Sequence, residues 1–281
     1  MPIFIVAITA ILAISSASLN AQPLAPAGEI KGDAWVHSKA SLAAAVDQAD
    51  VCLPAAATGS AVFCGKFKDV PKLGGKAVPV VVFLHGSSGL GLKAIGQWQQ
   101  WLAGLCYASV APDSFALVGR VTYTSPIDKA SYERIHALRT SEIEPTLAAL
   151  RTQPWADSTS LILAGTSEGA VPVARYTGSE FAARMLYAWS CEANYFVTDP
   201  RNGFEANKPV LNVISAVDPF FSKTNTWLGN AEAQGHCGAA LKEVSRASIM
   251  LVPNAPHTLL NVPAARSATA GFLALTLSAF R

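Results

Sequence analysis

A chain of 281 residues with 51% hydrophobic and 14% charged residues can bury a large core, which excludes a disordered polypeptide. Its formal net charge is +2 and no block of Lys and Arg stands out, so a nucleic-acid partner has no electrostatic footprint. The length suits one large α/β domain.

Residues 1–21 contain no charged side chain, and residues 3–14 are almost continuously apolar. Small and polar residues follow, then Ala21-Gln22-Pro23. This is the order of a secretory signal peptide cleaved after Ala21. An uncleaved anchor is the alternative, but the run is short of the ~20 residues a span needs. The expectation is therefore export to the exterior or periplasm, with no stable membrane insertion of the mature chain. Residues 22–281 then form a single domain, with an extension over 22–77 and a catalytic core over 78–281.

Residues 22–35 form a Pro/Ala/Gly-rich lead-in. A short helix is expected from Ser38 to Ala49 and a short strand from Ala61 to Phe67. Val78 to Leu84 is an apolar β-branched run that ends at His85-Gly86. Such continuous apolarity marks a central parallel strand, buried on both faces. Leu92 to Leu105 reads as a helix, Tyr107 to Ala111 as a strand and Asp128 to Arg139 as a helix. Ser141 and Glu144 have the spacing of a capping box for a helix reaching Thr152. Ser160 to Gly165 is another buried strand, followed by a helix from Glu168. Strands are expected at Arg184–Ser190, Pro209–Ser215 and Ser248–Val252, and a last helix over Pro263–Phe280. Strands alternating with helices give a doubly wound, mostly parallel sheet with helices on both faces. Ligands gather at the carboxyl ends of such strands, so the chemistry should follow each apolar run.

Three strand ends carry the residues of nucleophilic catalysis in chain order. Gly165-Thr166-Ser167-Glu168-Gly169 is a G-x-S-x-G motif between a strand and a helix, the context a nucleophile elbow requires. Asp218 follows the strand ending near Ser215, where a carboxylate can hold an imidazole in its productive tautomer. Asp199 and Glu192 are rival carboxylates, but neither directly follows such a run. His257 follows the last strand and can take and return a proton. Of the other histidines, His37 precedes the sheet, His136 sits in a helix, His236 neighbours Cys237, and His85 comes too early to act as base. The loop His85-Gly86-Ser87-Ser88-Gly89 can supply the Ser87 amide, beside that of Glu168, to an oxyanion. The Glu168 carboxylate either favours the N-terminus of its helix or repels anionic substrates.

Five cysteines suit an exported chain. Cys52 with Cys64 and Cys191 with Cys237 are the expected bridges, although sequence alone allows other pairings. Cys106, at an apolar helix end, is expected to be a buried free thiol. No C-x-x-C spacing suggests zinc, and no metal or cofactor is implied.

On these residues, together with Ala111-Pro112-Asp113-Ser114-Phe115, Asp218-Pro219 and Pro256-His257-Thr258, the chain resembles the dienelactone hydrolase-like branch of the α/β-hydrolases from Val78 onward. The resemblance implies a Ser167-Asp218-His257 triad that hydrolyses a small-molecule carboxylic ester or lactone through an acyl-enzyme, without a metal. The founding dienelactone hydrolases carry a Cys nucleophile and bind an anionic lactone through arginines. Here the nucleophile is Ser, and Arg120 is the candidate arginine. Glu192, Tyr195 and Phe220 are the other pocket candidates, with Trp189, Phe196 and Phe221 beside them. Two rival expectations are a catalytically inactive binding protein on the same scaffold and a secreted peptidase.

Overall fold

A computed structural model describes Met1 and residues 25–278. The expected signal peptide and the last three residues of the expected terminal helix and its tail fall outside the described residues, apart from Met1. In chain order the elements are β1 (Glu29–Lys31), α1 (Lys39–Asp47), β2 (Asp50–Leu53), α2 (Ala55–Thr58), β3 (Phe63–Lys66), β4 (Val78–Leu84), α3 (Lys93–Gly104), β5 (Ala108–Ala111) and β6 (Thr122–Thr124). There follow α4 (Lys129–Thr140), α5 (Ile143–Leu150), β7 (Ala156–Thr166), α6 (Ala170–Arg175), β8 (Ala183–Tyr187), β9 (Val210–Ser215), β10 (Ala247–Val252) and α7 (Pro263–Ser278).

Eight strands form one sheet in the order β3-β2-β5-β4-β7-β8-β9-β10. β2 runs antiparallel to both neighbours, and the rest of the sheet is parallel. The doubly wound expectation therefore holds. Alternation along β4 explains the two layers. Val80, Val82 and Leu84 face Ile143, Leu147 and Leu150 of α5, whereas Val81 and Phe83 face Ile95, Trp98 and Leu102 of α3. Each fully buried Val, Leu or Phe contributes roughly 1.5–3 kcal/mol of transfer free energy, so the central strands are the most strongly fixed part of the sheet. The catalytic candidates hang from their carboxyl ends.

Several details differ from the sequence expectations. β2 was not foreseen, since its four residues lack the length of a recognisable apolar run. The lead-in contributes β1, which pairs antiparallel with β6, and Asp33 and Ala34 donate their amides to the Gly119 carbonyl. The capping box is not formed. Ser141 donates instead to the Leu138 carbonyl, because α4 turns into α5 without an intervening extended residue. β8 stops at Tyr187, three residues early, where Ala188 takes a left-handed φ of 52°. Cys106 is a free thiol but an exposed one. It lies just past the C-cap of α3 with φ 66°, at the helix end and not on the buried face. Pro172 costs little in its short helix. It is the third residue of α6, where amides have no intrahelical acceptor.

Both expected disulfides are present. Cys52–Cys64 joins directly opposed positions of β2 and β3, and Cys191–Cys237 closes a separation of 46 residues. Buried Asn212 of β9 reinforces the second bridge. Its amide donates to the Trp189 carbonyl and its oxygen accepts the Cys237 amide, at 3.0 Å each. The loops on either side of the Asp218 turn are thereby tied to the sheet.

Candidate active site

Ser167 occupies the bend between β7 and the helical turn that leads into α6, with φ 52°. A left-handed serine is a costly conformation, and it persists because its surroundings leave no room to relax. A Cβ on Gly169 would lie 2.1 Å from the Leu84 carbonyl oxygen, and one on Gly165 would lie 2.3 Å from the Gly169 oxygen. Only glycine permits this approach of elbow to β4. Gly169→Ala is accordingly expected to destabilise the protein by about 3 kcal/mol or more, read as a lowered denaturant midpoint, because the opposing atoms are backbone. A midpoint within experimental error of the parent would contradict it.

Asp218 lies in the turn after β9, with its side chain fully buried. Its Oδ1 accepts the amides of Phe220 and Phe221 at 2.9 and 3.0 Å, and its Oδ2 accepts His257 Nδ1–H at 2.8 Å. Nδ1 therefore carries the proton and Nε2 presents a lone pair. Phe220 packs edge-on against the imidazole at 4.7 Å and Phe221 lies 5.9 Å away, so the ring is held by aromatic walls as well as by the carboxylate. Among the described residues no hydrogen bond joins Ser167 to His257. Such contacts are often long in a free enzyme and shorten when substrate binds.

The loop after β4 meets the elbow from the other side, and a Cβ on Gly86 would sit 3.4 Å from that of Ser167. His85 Nδ1 donates to the Gly86 carbonyl at 2.7 Å, and its Nε2 accepts the Ser114 amide at 3.2 Å. In a trans peptide the N–H points away from the carbonyl, so fixing the Gly86 oxygen also fixes the direction of the Ser87 N–H. Burial, and next the Arg139 guanidinium, hold the His85 pKa well below its usual value, so the ring is neutral.

Glu168 is fully buried. Its Oε1 accepts Arg120 Nη2 at 2.6 Å and lies 3.3 Å from Arg139 Nη1, and the Tyr123 hydroxyl donates to the same carboxylate. Burial opposes its ionisation, but Arg120, Arg139 and Tyr123 together override that and lower the pKa. Of the two sequence readings of Glu168, the helix-start one stands, since the residue lies in the first turn after β7; the substrate-repelling one fails. Its charge is compensated inside the protein and does not face an incoming substrate. Arg120 is corrected on the same ground. Its guanidinium is engaged by Glu168, Ser114 and the Val121 carbonyl, leaving it no role as receptor for an anionic lactone.

The remaining pocket candidates separate. Phe220 touches His257. Tyr195 is buried one shell further out, stacked on Phe221 and edge-on to Trp227. Glu192 accepts the amides of Gln234 and Gly235 and so braces a loop. Arg139, Glu142 and Tyr123 were missed. Arg139 does fall in phase with the buried face of α4 defined by Tyr132, Ile135 and His136, and a charge on that stripe was the available signal. Among the described residues, no group of three or more His, Cys, Asp or Glu is placed to hold a metal ion.

Buried His85 and His136 both have lowered pKa values, with burial as the first cause. Between about pH 6.5 and their folded values the unfolded chain binds protons that the native state refuses. Stability is thus full above roughly pH 6.5 and falls on acidification, by up to ~1.4 kcal/mol per pH unit for each histidine. Urea midpoints measured from pH 8 to pH 5 should show this decline, and His136→Phe should flatten it. A parent profile level down to pH 5 would contradict the assignment.

Solved structures share this fold. Esterase PE8 superposes with a TM-score of 0.50 at 19% identity, covering 74% of this chain and 96% of that one. A dienelactone hydrolase-like promiscuous phosphotriesterase from metagenomic libraries gives 0.50 at 19%, covering 73% and 88%. A cold-adapted esterase from an Arctic intertidal metagenomic library gives 0.50 at 16%, covering 72% and 84%. The chain has the α/β-hydrolase fold. No family model matches it, and no curated protein matches it either. Ser167 follows β7, Asp218 follows β9 and His257 follows β10, so all three lie beyond the carboxyl ends of parallel strands.

Proposed function

We propose that this protein is an exported serine hydrolase that cleaves an uncharged carboxylic ester or lactone through an acyl intermediate on Ser167. One observation carries the reading. A buried carboxylate, anchored by two backbone amides, holds the imidazole of His257 in the tautomer that leaves Nε2 free. The left-handed serine at the β7 bend supports it. Ser167 Oγ attacks the carbonyl carbon and its proton passes to His257 Nε2. The carbonyl oxygen becomes an oxyanion that accepts from the Ser87 and Glu168 amides. Collapse expels the alkoxide, which takes the proton from His257. Water, deprotonated by the same nitrogen, then attacks the acyl carbon and releases the acid.

Neutral substrates are favoured because the arginines near the elbow are already paired with carboxylates. Export is supported by two disulfides. Among the described residues no helix is long and apolar enough to cross a membrane. The test is a panel of short-chain esters, lactones and matched anilides, neutral and anionic, with the purified mature chain. Neutral esters should turn over with acid and alcohol released one to one, or neutral lactones with one hydroxy acid formed per ring opened. Binding without turnover across the panel would favour an inactive scaffold, and anilides cleaved as fast as esters would favour a peptidase. Either result would overturn the proposal.

A further inference from the structure

One buried arginine touches the side chains behind both proposed oxyanion donors. Arg139, on α4, is wholly buried. Its Nη1 lies 3.1 Å from His85 Nδ1 and 3.3 Å from Glu168 Oε1. His85 is the residue whose ring fixes the Gly86–Ser87 peptide, and Glu168 carries the second amide on its own backbone. The contact with His85 is not a hydrogen bond to a lone pair. Nδ1 has its proton on the Gly86 carbonyl and Nε2 accepts from Ser114, so the guanidinium lies against a neutral ring whose two nitrogens are already engaged.

The other side of Arg139 is also fixed. Its Nε pairs with Glu142 Oε2 at 3.1 Å, and Glu142 Oε1 meets His37 Nε2 at 3.2 Å. His37 belongs to the N-terminal segment, which is itself clipped to the Gly119–Arg120 turn through Asp33 and Ala34. The charges balance, with Arg120 and Arg139 against Glu142 and Glu168. A planar fork is suited to hold several partners in fixed directions at once, and a flexible ammonium is not. No reacting atom needs to touch this group. Its effect is on where two peptide amides point.

We infer that Arg139 is a positioning residue that sets the spacing of the two oxyanion donors, Ser87 N–H and Glu168 N–H. The inference rests on the hydrolase mechanism proposed above. Losing one oxyanion donor outright costs roughly 100–1,000-fold in turnover, so misplacing donors that are still present should cost less.

The test compares the parent with Arg139→Lys, which keeps the charge and loses the fork. A second, charge-balanced variant, Arg139→Met with Glu142→Gln, serves where the lysine variant does not fold. The readouts are kcat, KM, and the inhibition constant of a trifluoromethyl ketone, whose tetrahedral adduct places an oxyanion between the two amides. Expected is a fall in kcat of about 10- to 100-fold with KM within threefold. The ketone should weaken by the same factor as kcat/KM, while a non-reactive alcohol analogue binds as before. A merely structural role would lower the folded fraction and leave the ketone constant of the folded enzyme unchanged. Unchanged kcat and ketone affinity in either folded variant would overturn the inference. Ser167→Ala separates the two claims. If it retained parental turnover the hydrolase mechanism itself would fail, whereas its loss beside fully active Arg139 variants would sink this inference alone.

Discussion

Ser167→Ala is expected to lower ester turnover by roughly four to six orders of magnitude while leaving the fold in place. The large loss follows from removing the hydroxyl that attacks the carbonyl carbon and carries the acyl group. The intact fold follows from the local geometry. Ser167 is half-buried, its left-handed φ of 52° is imposed by Gly165 and Gly169, and alanine meets the same backbone cost as serine there. Residual activity of about 1,000-fold over water would still be consistent, since the oxyanion amides remain. Circular dichroism and the denaturant midpoint should match the parent within about 0.5 kcal/mol. Parental turnover by the alanine variant would show that another nucleophile operates.

Asp218→Asn should cost about 10,000-fold in kcat, and the structure gives a specific reason. Oδ1 of Asp218 is held by the Phe220 and Phe221 amides, so it must remain an acceptor after the substitution. The asparagine oxygen would take that place, and its NH2 would then face His257 Nδ1 across the present 2.8 Å contact. Two donors cannot share that contact. The imidazole must therefore move its proton to Nε2, the atom that has to accept from Ser167. Fold and ring position should change little, because Phe220 and Phe221 still flank the ring. The imidazole 15N shifts would report the tautomer directly, with the proton on Nδ1 in the parent and on Nε2 in the variant. A variant with parental kcat and the parental tautomer would contradict this arrangement.

Much of this was legible in the sequence because the information was local. Val78 to Leu84 announces a central strand by its unbroken apolarity, and the structure gives it those bounds. The G-x-S-x-G spacing marked a tight bend between a strand and a helix, and Ser167 occupies that bend with φ 52°. Pairing Cys52 with Cys64 followed from proximity, and opposition across β2 and β3 is its physical basis.

The failures involve non-local contacts. Arg120 and Glu168 are 48 positions apart and form a buried ion pair, which no spacing rule anticipates. That pair turns Arg120 from a substrate receptor into internal support and takes the Glu168 charge away from an incoming substrate. Cys106 went wrong for a related reason. Apolar neighbours suggested burial, but the left-handed turn past α3 carries the thiol outward. β1 was hidden too, because its pairing with β6 spans more than 90 residues of intervening chain.

The whole mechanism turns on Ser167 as a nucleophile activated by His257. A fluorophosphonate tests it most directly, since attack by an activated serine leaves a stable covalent adduct whose position mass spectrometry can read. One adduct per chain is expected, on the peptide containing Ser167, forming at a rate that collapses in a His257→Gln variant of parental stability. No adduct, an adduct on another serine, or labelling of Ser167 at an undiminished rate without His257 would contradict it.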